Sequence, residues 1–452
     1  MAVKYEIDMT KGSLIKSIMR FSMPLLLTNV LQLMYNAADV VVVGRFVGTN
    51  ALAAVGATGS LINLLINLFV GMSVGVAVLV SRYYGANEYK KLYSVVQTSF
   101  MVSIILGISA MIIGVASAKK LLGLISTPPE VMPDAVKYIL IYFIGVPGSL
   151  VFNFCAAVLR AVGDTKRPLY ILTFTGLLNV VLNVILVVGT GFGVEGVAIA
   201  TTVANYASAA LVVFTLCKTD ASYKLNIRDC KINKKDLKDI IVIGLPAGLN
   251  GTVFSLSNTV IQSAINSFGA NVVAGCTAAS NIEGIVWSGM NSVHHGALTA
   301  ASQNYGAKNK KRIYKTLYVS MLLVVIVGLV MGFAAILFKK PLISLYTNDA
   351  EVLKYGETRL VFVCTFYAFC GIMDVLVGFL RGIGFSLTPT IVSMVGTCGF
   401  RILWVSTFFK KLNSLTGLMA SWPISWILVI IIDAIIILTA GRKRINKLIK
   451  EE

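Results

Sequence analysis

The chain has 452 residues, of which 57% are hydrophobic and only 13% charged. A soluble domain carries roughly 25% charged residues, so the composition excludes a water-soluble enzyme and points to a polytopic membrane protein. The net charge of +19 would raise nucleic acid as a partner for a soluble chain; here no nucleic acid is expected, because the basic residues lie between apolar stretches, where they report orientation and contact with anionic lipid.

Twelve membrane spans are predicted, near 15–43, 51–81, 92–117, 134–160, 168–189, 194–217, 239–265, 272–303, 313–338, 351–380, 388–409 and 414–440. Each is long enough to cross a hydrocarbon core, so the expected fold class is an all-α polytopic membrane protein of twelve helices. The first span carries Asn29, Gln32, Asn36 and Asp39 at steps of three, four and three, which places them along one helical face. A carboxylate inside the membrane is costly and is by default a functional candidate. The same stripe would also serve simply to hold helices together. Pro24, to one side of it, removes a backbone hydrogen bond and can bend the span, as Pro246 can in the seventh.

Further along, Thr175, Asn179 and Asn183 share one face of the fifth span, and Thr201, Asn205 and Ser208 one face of the sixth. If these faces meet Asn36 and Asp39 they form a cage of oxygens around one acid. Such a cage suits Na⁺, whose preferred ligands are oxygens. A carboxyl withdrawn from water can equally carry a proton. The first six spans (1–217) are followed by a polar linker, 218–238, which is basic through Lys218, Lys224, Arg228, Lys231, Lys234, Lys235 and Lys238. A second set of six spans (239–441) and a basic tail (442–452) complete the chain. Lys and Arg concentrate in the termini and the even-numbered loops, which puts both termini and the linker in the cytoplasm.

The second half carries different chemistry. Ile261 stands where the internal repeat would place Asp39, while Thr252, Ser255, Thr259, Gln262 and Asn266 line a face of the seventh span. Glu283, His294 and His295 lie in the eighth span, Asp374 in the tenth, Arg401 in the eleventh and Asp433 in the twelfth. Arg401 needs an anionic partner, and Glu283 or Asp374 could supply it. Gln32, Met34, Tyr35, Phe152, Asn153, Phe154, Gln262, Trp287 and Met290 are candidates for lining a substrate cavity, by polar, stacking and soft apolar contact. The seven cysteines show neither a CxxC pair nor zinc spacing and are expected to be packing residues.

The halves repeat each other. Ser81-Arg-Tyr-Tyr-Gly-Ala-Asn87 returns as Ser302-Gln-Asn-Tyr-Gly-Ala-Lys308, and Leu159-Arg-Ala-Val-Gly163 as Leu380-Arg-Gly-Ile-Gly384, at one constant shift of 221 residues. Six spans per copy is an even number, so both copies enter from the same side. Their expected relation is a pseudo-two-fold axis along the membrane normal, with alternating access by rocking one bundle against the other.

These motifs, with Leu159-Arg-Ala-Val-Gly-Asp-Thr-Lys-Arg-Pro168, Gly244-Leu-Pro-Ala-Gly248, Asn281-Ile-Glu-Gly284 and Trp422-Pro-Ile-Ser-Trp426, resemble the multidrug and toxic compound extrusion (MATE) family across nearly the whole chain. The resemblance implies an exporter in the cell membrane, not an enzyme. It would move bulky, often cationic and aromatic compounds outward against inward H⁺ or Na⁺, needing no other cofactor. In the DinF-like branch it also implies a coupling site made of an acid on the first span, an Asn and an Asp on the fifth and a Thr on the sixth. Asp39, Asn179 and Thr201 match that pattern, and Asn183 departs from it, standing where the fifth-span acid would be. Asp374 resembles an acid that NorM-like members use in cation coupling, but their seventh-span acid is missing. The competing reading is a lipid-linked sugar flippase, which should present several bases to hold a diphosphate. A membrane-embedded transferase would need paired acids or a His/Ser/Asp cluster at headgroup level, and none is found. A monomer is expected.

Overall fold

The computed structural model describes residues 5–125, 127–409 and 414–450, and their regular structure is helical, with no strand among them. The elements are α1 (Leu14–Phe46), α2 (Thr49–Gly85), α3 (Tyr89–Leu124), α4 (Met132–Ala161), α5 (Lys166–Gly189), α6 (Val194–Lys218), α7 (Lys234–Asn266), α8 (Ala270–Gly306), α9 (Lys310–Leu337), the short α10 (Lys339–Ser344), α11 (Ala350–Gly382), α12 (Leu387–Phe409) and α13 (Leu415–Leu448). Eleven of these are long and apolar enough to cross a membrane among the described residues. The exception among the twelve expected spans is α8. Its 37 residues would extend roughly 55 Å at 1.5 Å per residue, but Asn281, Glu283, Asn291, His294, His295, Gln303 and Asn304 lower its hydropathy. Most of those polar groups are paid for locally: Glu283, His294, Gln303 and Asn304 are buried with partners inside the protein.

The repeat seen in the sequence is built into the backbone. Left-handed φ angles occur in pairs separated by the same 221 residues: Gly48 (124°) with Gly269 (96°), Asn87 (57°) with Lys308 (51°), and Gly163 (90°) with Gly384 (97°). Each pair marks a sharp stop or start between consecutive helices; two of the pairs are glycines, which lack the Cβ that disfavours this conformation, and Asn87 is the short polar residue that also tolerates it, while Lys308 adopts it without either feature. The wide turns that close α5 (Val184–Gly189) and α12 (Val405–Phe409) begin at the same interval.

The chain forms two compact units, one of residues Met1–Ile7 and Leu27–Thr252, the other of Asp8–Leu26 and Val253–Glu452. A division at the basic linker therefore misses an exchange of segments. The first part of α1 belongs with the second half, and the first part of α7 with the first half. Small residues explain why. In the second unit, Ser22 Oγ donates to the Ser292 carbonyl at 3.0 Å, and a Cβ added at Gly296 would meet Ile18 and Ser22 at 3.1 Å. In the first unit, a Cβ at Gly244 would lie 2.5 Å from the Met72 carbonyl oxygen, and one at Gly248 would run into the Leu68 carbonyl. Helices that approach this closely in a membrane gain packing and lose little side-chain entropy. Pro24 and Pro246 lie inside unbroken helices, each shortly before the point where its helix passes from one unit to the other.

The linker is docked rather than free. Gln97 of α3 donates to the Lys224 carbonyl (3.0 Å) and accepts from the Asn226 N–H (3.3 Å), and Thr98 accepts from the Asn233 N–H (3.1 Å). Tyr223 is fully buried with its hydroxyl on Glu6 (3.3 Å). Burial, reinforced by the Glu6 charge, pushes that phenol up to about 12. The basic tail continues α13, held by Arg444 over the Phe385 ring (4.8 Å to the centroid) and by buried Ile445. All seven cysteines are free.

Candidate functional site

In the first unit the polar faces of α1, α5 and α6 converge on one carboxylate. Asn183 Nδ2 donates to Asp39 Oδ1 at 2.5 Å, and the Thr201 hydroxyl lies 3.4 Å from Asp39 Oδ2. With its amide turned so that both ends find partners, Asn179 donates to Asp39 Oδ1 at 2.9 Å and accepts from the Thr201 N–H and hydroxyl at 3.3 Å. Asn179 and Asn183 are buried, four residues apart on α5. Asn183 is the last residue before the wide turn Val184–Gly189; such π-type turns change which way neighbouring side chains face. The Asn183 Oδ1 atom is buried without a hydrogen-bond donor among the described residues. An acceptor oxygen therefore stands beside a carboxylate with no proton of its own to take up.

One helical turn further along this interface, Thr175 and Ser208 join by their hydroxyls at 2.8 Å. Tyr35 lies flat against Gly176, where a Cβ would collide with its ring, and donates to the Thr173 carbonyl at 3.3 Å. Of the residues expected around the acid, Asn179, Asn183 and Thr201 reach it. Asn36 is exposed and outside this hydrogen-bonded group, as are Gln32 and Met34. Two residues not foreseen are Tyr138 and Tyr142 of α4, which stack at 6.1 Å and lie within electrostatic reach of Asp39. Their one signal in the sequence is the i, i+4 spacing.

In the second unit the expected pairing of Arg401 with Glu283 or Asp374 is not made. Glu283 is taken by Arg359 of α11, whose Nε and Nη2 donate to its two oxygens at 2.9 Å each. This fork matches a planar guanidinium to a carboxylate, and the Trp422 ring lies 4.9 Å from the Arg359 guanidinium carbon. Asp374 has Trp287 as a hydrogen-bond partner and the Arg381 cation within electrostatic reach, and the same cation acts on Asp433. Asp433 is completely buried, and neither of its oxygens has a hydrogen-bond partner among the described residues. His294 is buried, its Nδ1 2.5 Å from the Asp374 carbonyl oxygen, as a packing histidine would be.

Arg401 is 1% exposed. Its Nε donates to Ser425 Oγ at 3.2 Å and its guanidinium carbon lies 5.2 Å from the Phe254 ring centre. Among the described residues it has no carboxylate partner; Cys370, Cys398 and Tyr367 are the groups around it. It lines a cavity of about 440 Å³ together with Phe254, Gln262, Glu283, Trp287, Arg359, Tyr367, Trp422 and Trp426. Gln262 and Trp287, two of the candidates for a substrate cavity, line this one. Met290 does not: it is fully buried against Gly328 and Gly371. Phe152 and Phe154 are packing residues of the first unit, and Asn153 turns its amide onto the Ser149 carbonyl of its own helix (2.9 Å).

Comparison with known proteins identifies the family and the fold. The family model described as MatE matches the chain twice, over residues 24–185 and 246–407, once in each repeat. The chain is 27% identical over 432 residues to the "Probable multidrug resistance protein YoeA" of Bacillus subtilis, covering 93% of each. It is 22% identical to the "Multidrug export protein MepA" of Staphylococcus aureus (strain MW2), covering 91% of the chain and 90% of that protein. Among solved structures it is similar to one titled as the outward-facing conformation of a multidrug resistance MATE family transporter, with a TM-score of 0.89, 24% identity and full coverage of both chains. At that identity the likeness establishes the fold.

Proposed function

Because this chain belongs to the MatE family of multidrug and toxic compound extrusion transporters, we propose that it is a secondary active exporter, one that drives bulky organic compounds outward by letting H⁺ or Na⁺ in. The observation that carries this reading is the Asp39 cluster: one carboxylate, two amides and a hydroxyl drawn from three helices inside the first unit. An acceptor left without a donor beside that carboxylate favours a positively charged guest, whether a proton or a hard cation with oxygen ligands. Occupancy of Asp39 changes the charge of this cluster, and that change is what biases the equilibrium between two access states. Pro24, on the same helix as Asp39, is the proposed hinge, with Pro246 its counterpart in α7. The protein would work in the cell membrane with both termini cytoplasmic.

The test is efflux of a fluorescent organic cation from proteoliposomes, with a pH gradient and a Na⁺ gradient imposed in separate experiments. Export should follow one gradient and collapse in Asp39→Asn. Wild-type rates in that variant would remove Asp39 from the mechanism. The flippase alternative draws on Arg401 and Arg359, but Arg359 already spends its charge on Glu283. A diphosphate carries at least two negative charges and would meet one uncompensated cation.

A further inference from the structure

We propose that the cavity in the second unit is a binding site for flat aromatic monoanions such as arene carboxylates, with Arg401 as the residue that receives the charge. Three ionised side chains line it. Glu283 and Arg359 neutralise each other through two hydrogen bonds of 2.9 Å, which leaves Arg401 and a net charge of +1. A guanidinium held almost entirely away from water with one hydroxyl on its Nε is expensive to bury. A carboxylate arriving in the cavity would offset that cost by accepting from the remaining N–H groups, two of which are arranged to bind it in parallel.

The walls complete the recognition. Phe254, Trp287, Tyr367, Trp422 and Trp426 line the cavity, and Tyr367 and Trp426 are already neighbours at 5.8 Å between centroids. Their π surfaces suit a flat ring, and a volume of about 440 Å³ falls within the size of sites that enclose drug-like molecules. The repeat makes the contrast sharper. Ile261, which lines this cavity, occupies the position of Asp39, and Arg401 falls within one residue of the position of Asn179. The first repeat thus carries a carboxylate where the second has an isoleucine, and the second carries its charge on another helix as a guanidinium, so the charge offered to a ligand differs in sign between the two copies.

That such a ligand is also exported cargo rests on the exporter reading; its binding does not. The test uses the purified full-length protein in a nonionic detergent, with no gradient. Three of the four tryptophans line the cavity, so energy transfer from them to a bound anthracene reports occupancy. The probes are 9-anthracenecarboxylate, 9-(aminomethyl)anthracene and 9-anthracenemethanol, an anion, a cation and a neutral molecule of one shape. The carboxylate should bind at least tenfold more tightly than the other two. Arg401→Gln should weaken it at least tenfold, to the level of the neutral probe, while Arg401→Lys keeps the preference for the anion. Equal or tighter binding of the cation, or wild-type carboxylate affinity in Arg401→Gln, would overturn the proposal. Should Arg401→Gln fail to fold, the wild-type probe series and Arg401→Lys decide alone. Export is measured separately in proteoliposomes: a protein that discriminates the probes but exports nothing under either gradient sinks only the exporter reading, and one that exports without discriminating sinks only this inference.

Discussion

Removing one partner of the Glu283–Arg359 pair tests whether the electrostatics of the second unit are understood. Both side chains are about 8% exposed, so Glu283→Gln leaves a guanidinium with little water to replace its counter-charge. Breaking a buried pair in this way costs about 3–5 kcal/mol. Two features of the site push the value to the lower end. The pair borders a cavity that water can enter, and the Trp422 ring still faces Arg359, a contact worth roughly 0.5–2 kcal/mol. A loss of about 3 kcal/mol, at roughly 2–4 °C per kcal/mol for a unit of some 200 residues, lowers the melting temperature by about 6–12 °C. Arg359→Met should cost more, since it strands Glu283 and gives up the Trp422 contact as well. The double variant Glu283→Leu with Arg359→Met removes both charges and should melt closer to wild type than either single change. The assay is thermal unfolding in detergent, followed by the fraction remaining monodisperse on size exclusion. Losses that simply add in the double variant would refute the reasoning, because they would mean the two charges are not coupled.

Three further outcomes follow from the same geometry. Glu283→Gln frees Arg359, so where Arg401→Gln weakens binding of 9-anthracenecarboxylate, Glu283→Gln should tighten it severalfold in the same energy-transfer titration. Asn183→Asp places a second carboxylate against Asp39 Oδ1, 2.5 Å from where the amide now donates; gradient-driven efflux should shift its optimum to a different pH or Na⁺ concentration, and an unchanged profile would take α5 out of the coupling site. Gly163→Ala forces a side chain onto a φ of 90° and puts a Cβ 2.5 Å from the Ile7 carbonyl oxygen, so the melting temperature should fall by several degrees, as expected for about 1–3 kcal/mol of strain and overpacking.

Much of this was legible before any coordinates, because the membrane makes the sequence speak in few terms. Backbone groups must be satisfied within helices, so long apolar runs could be read as spans almost one for one. The constant 221-residue shift carried through to paired left-handed residues such as Gly163 and Gly384, since a turn that must admit positive φ leaves a glycine behind. Asn179, Asn183 and Thr201 reached Asp39 because helical periodicity alone puts them on single faces of α5 and α6. The exchange of the first parts of α1 and α7 was hidden, for its cause is pairwise: Gly244 and Gly248 make sense only beside the backbone of Met72 and Leu68.

The partner of Arg401 was misread for a related reason. A lone base and two acids on neighbouring spans invite pairing on charge alone, and three candidates can be matched several ways. What decides is depth and direction along the helices. Arg359 arises on α11 where its fork can close on both oxygens of Glu283, and Asp374 falls to Trp287 and Arg381. Once those matches are made, Arg401 is the charge left over. A buried cation without a counter-ion is tolerated only where something repays its desolvation, and the aromatic cavity at its side is the place where a ligand can do so. Taken together, the two proposals give the halves different tasks: the acid of the first would respond to a small cation, and the base of the second would receive a larger molecule of opposite sign.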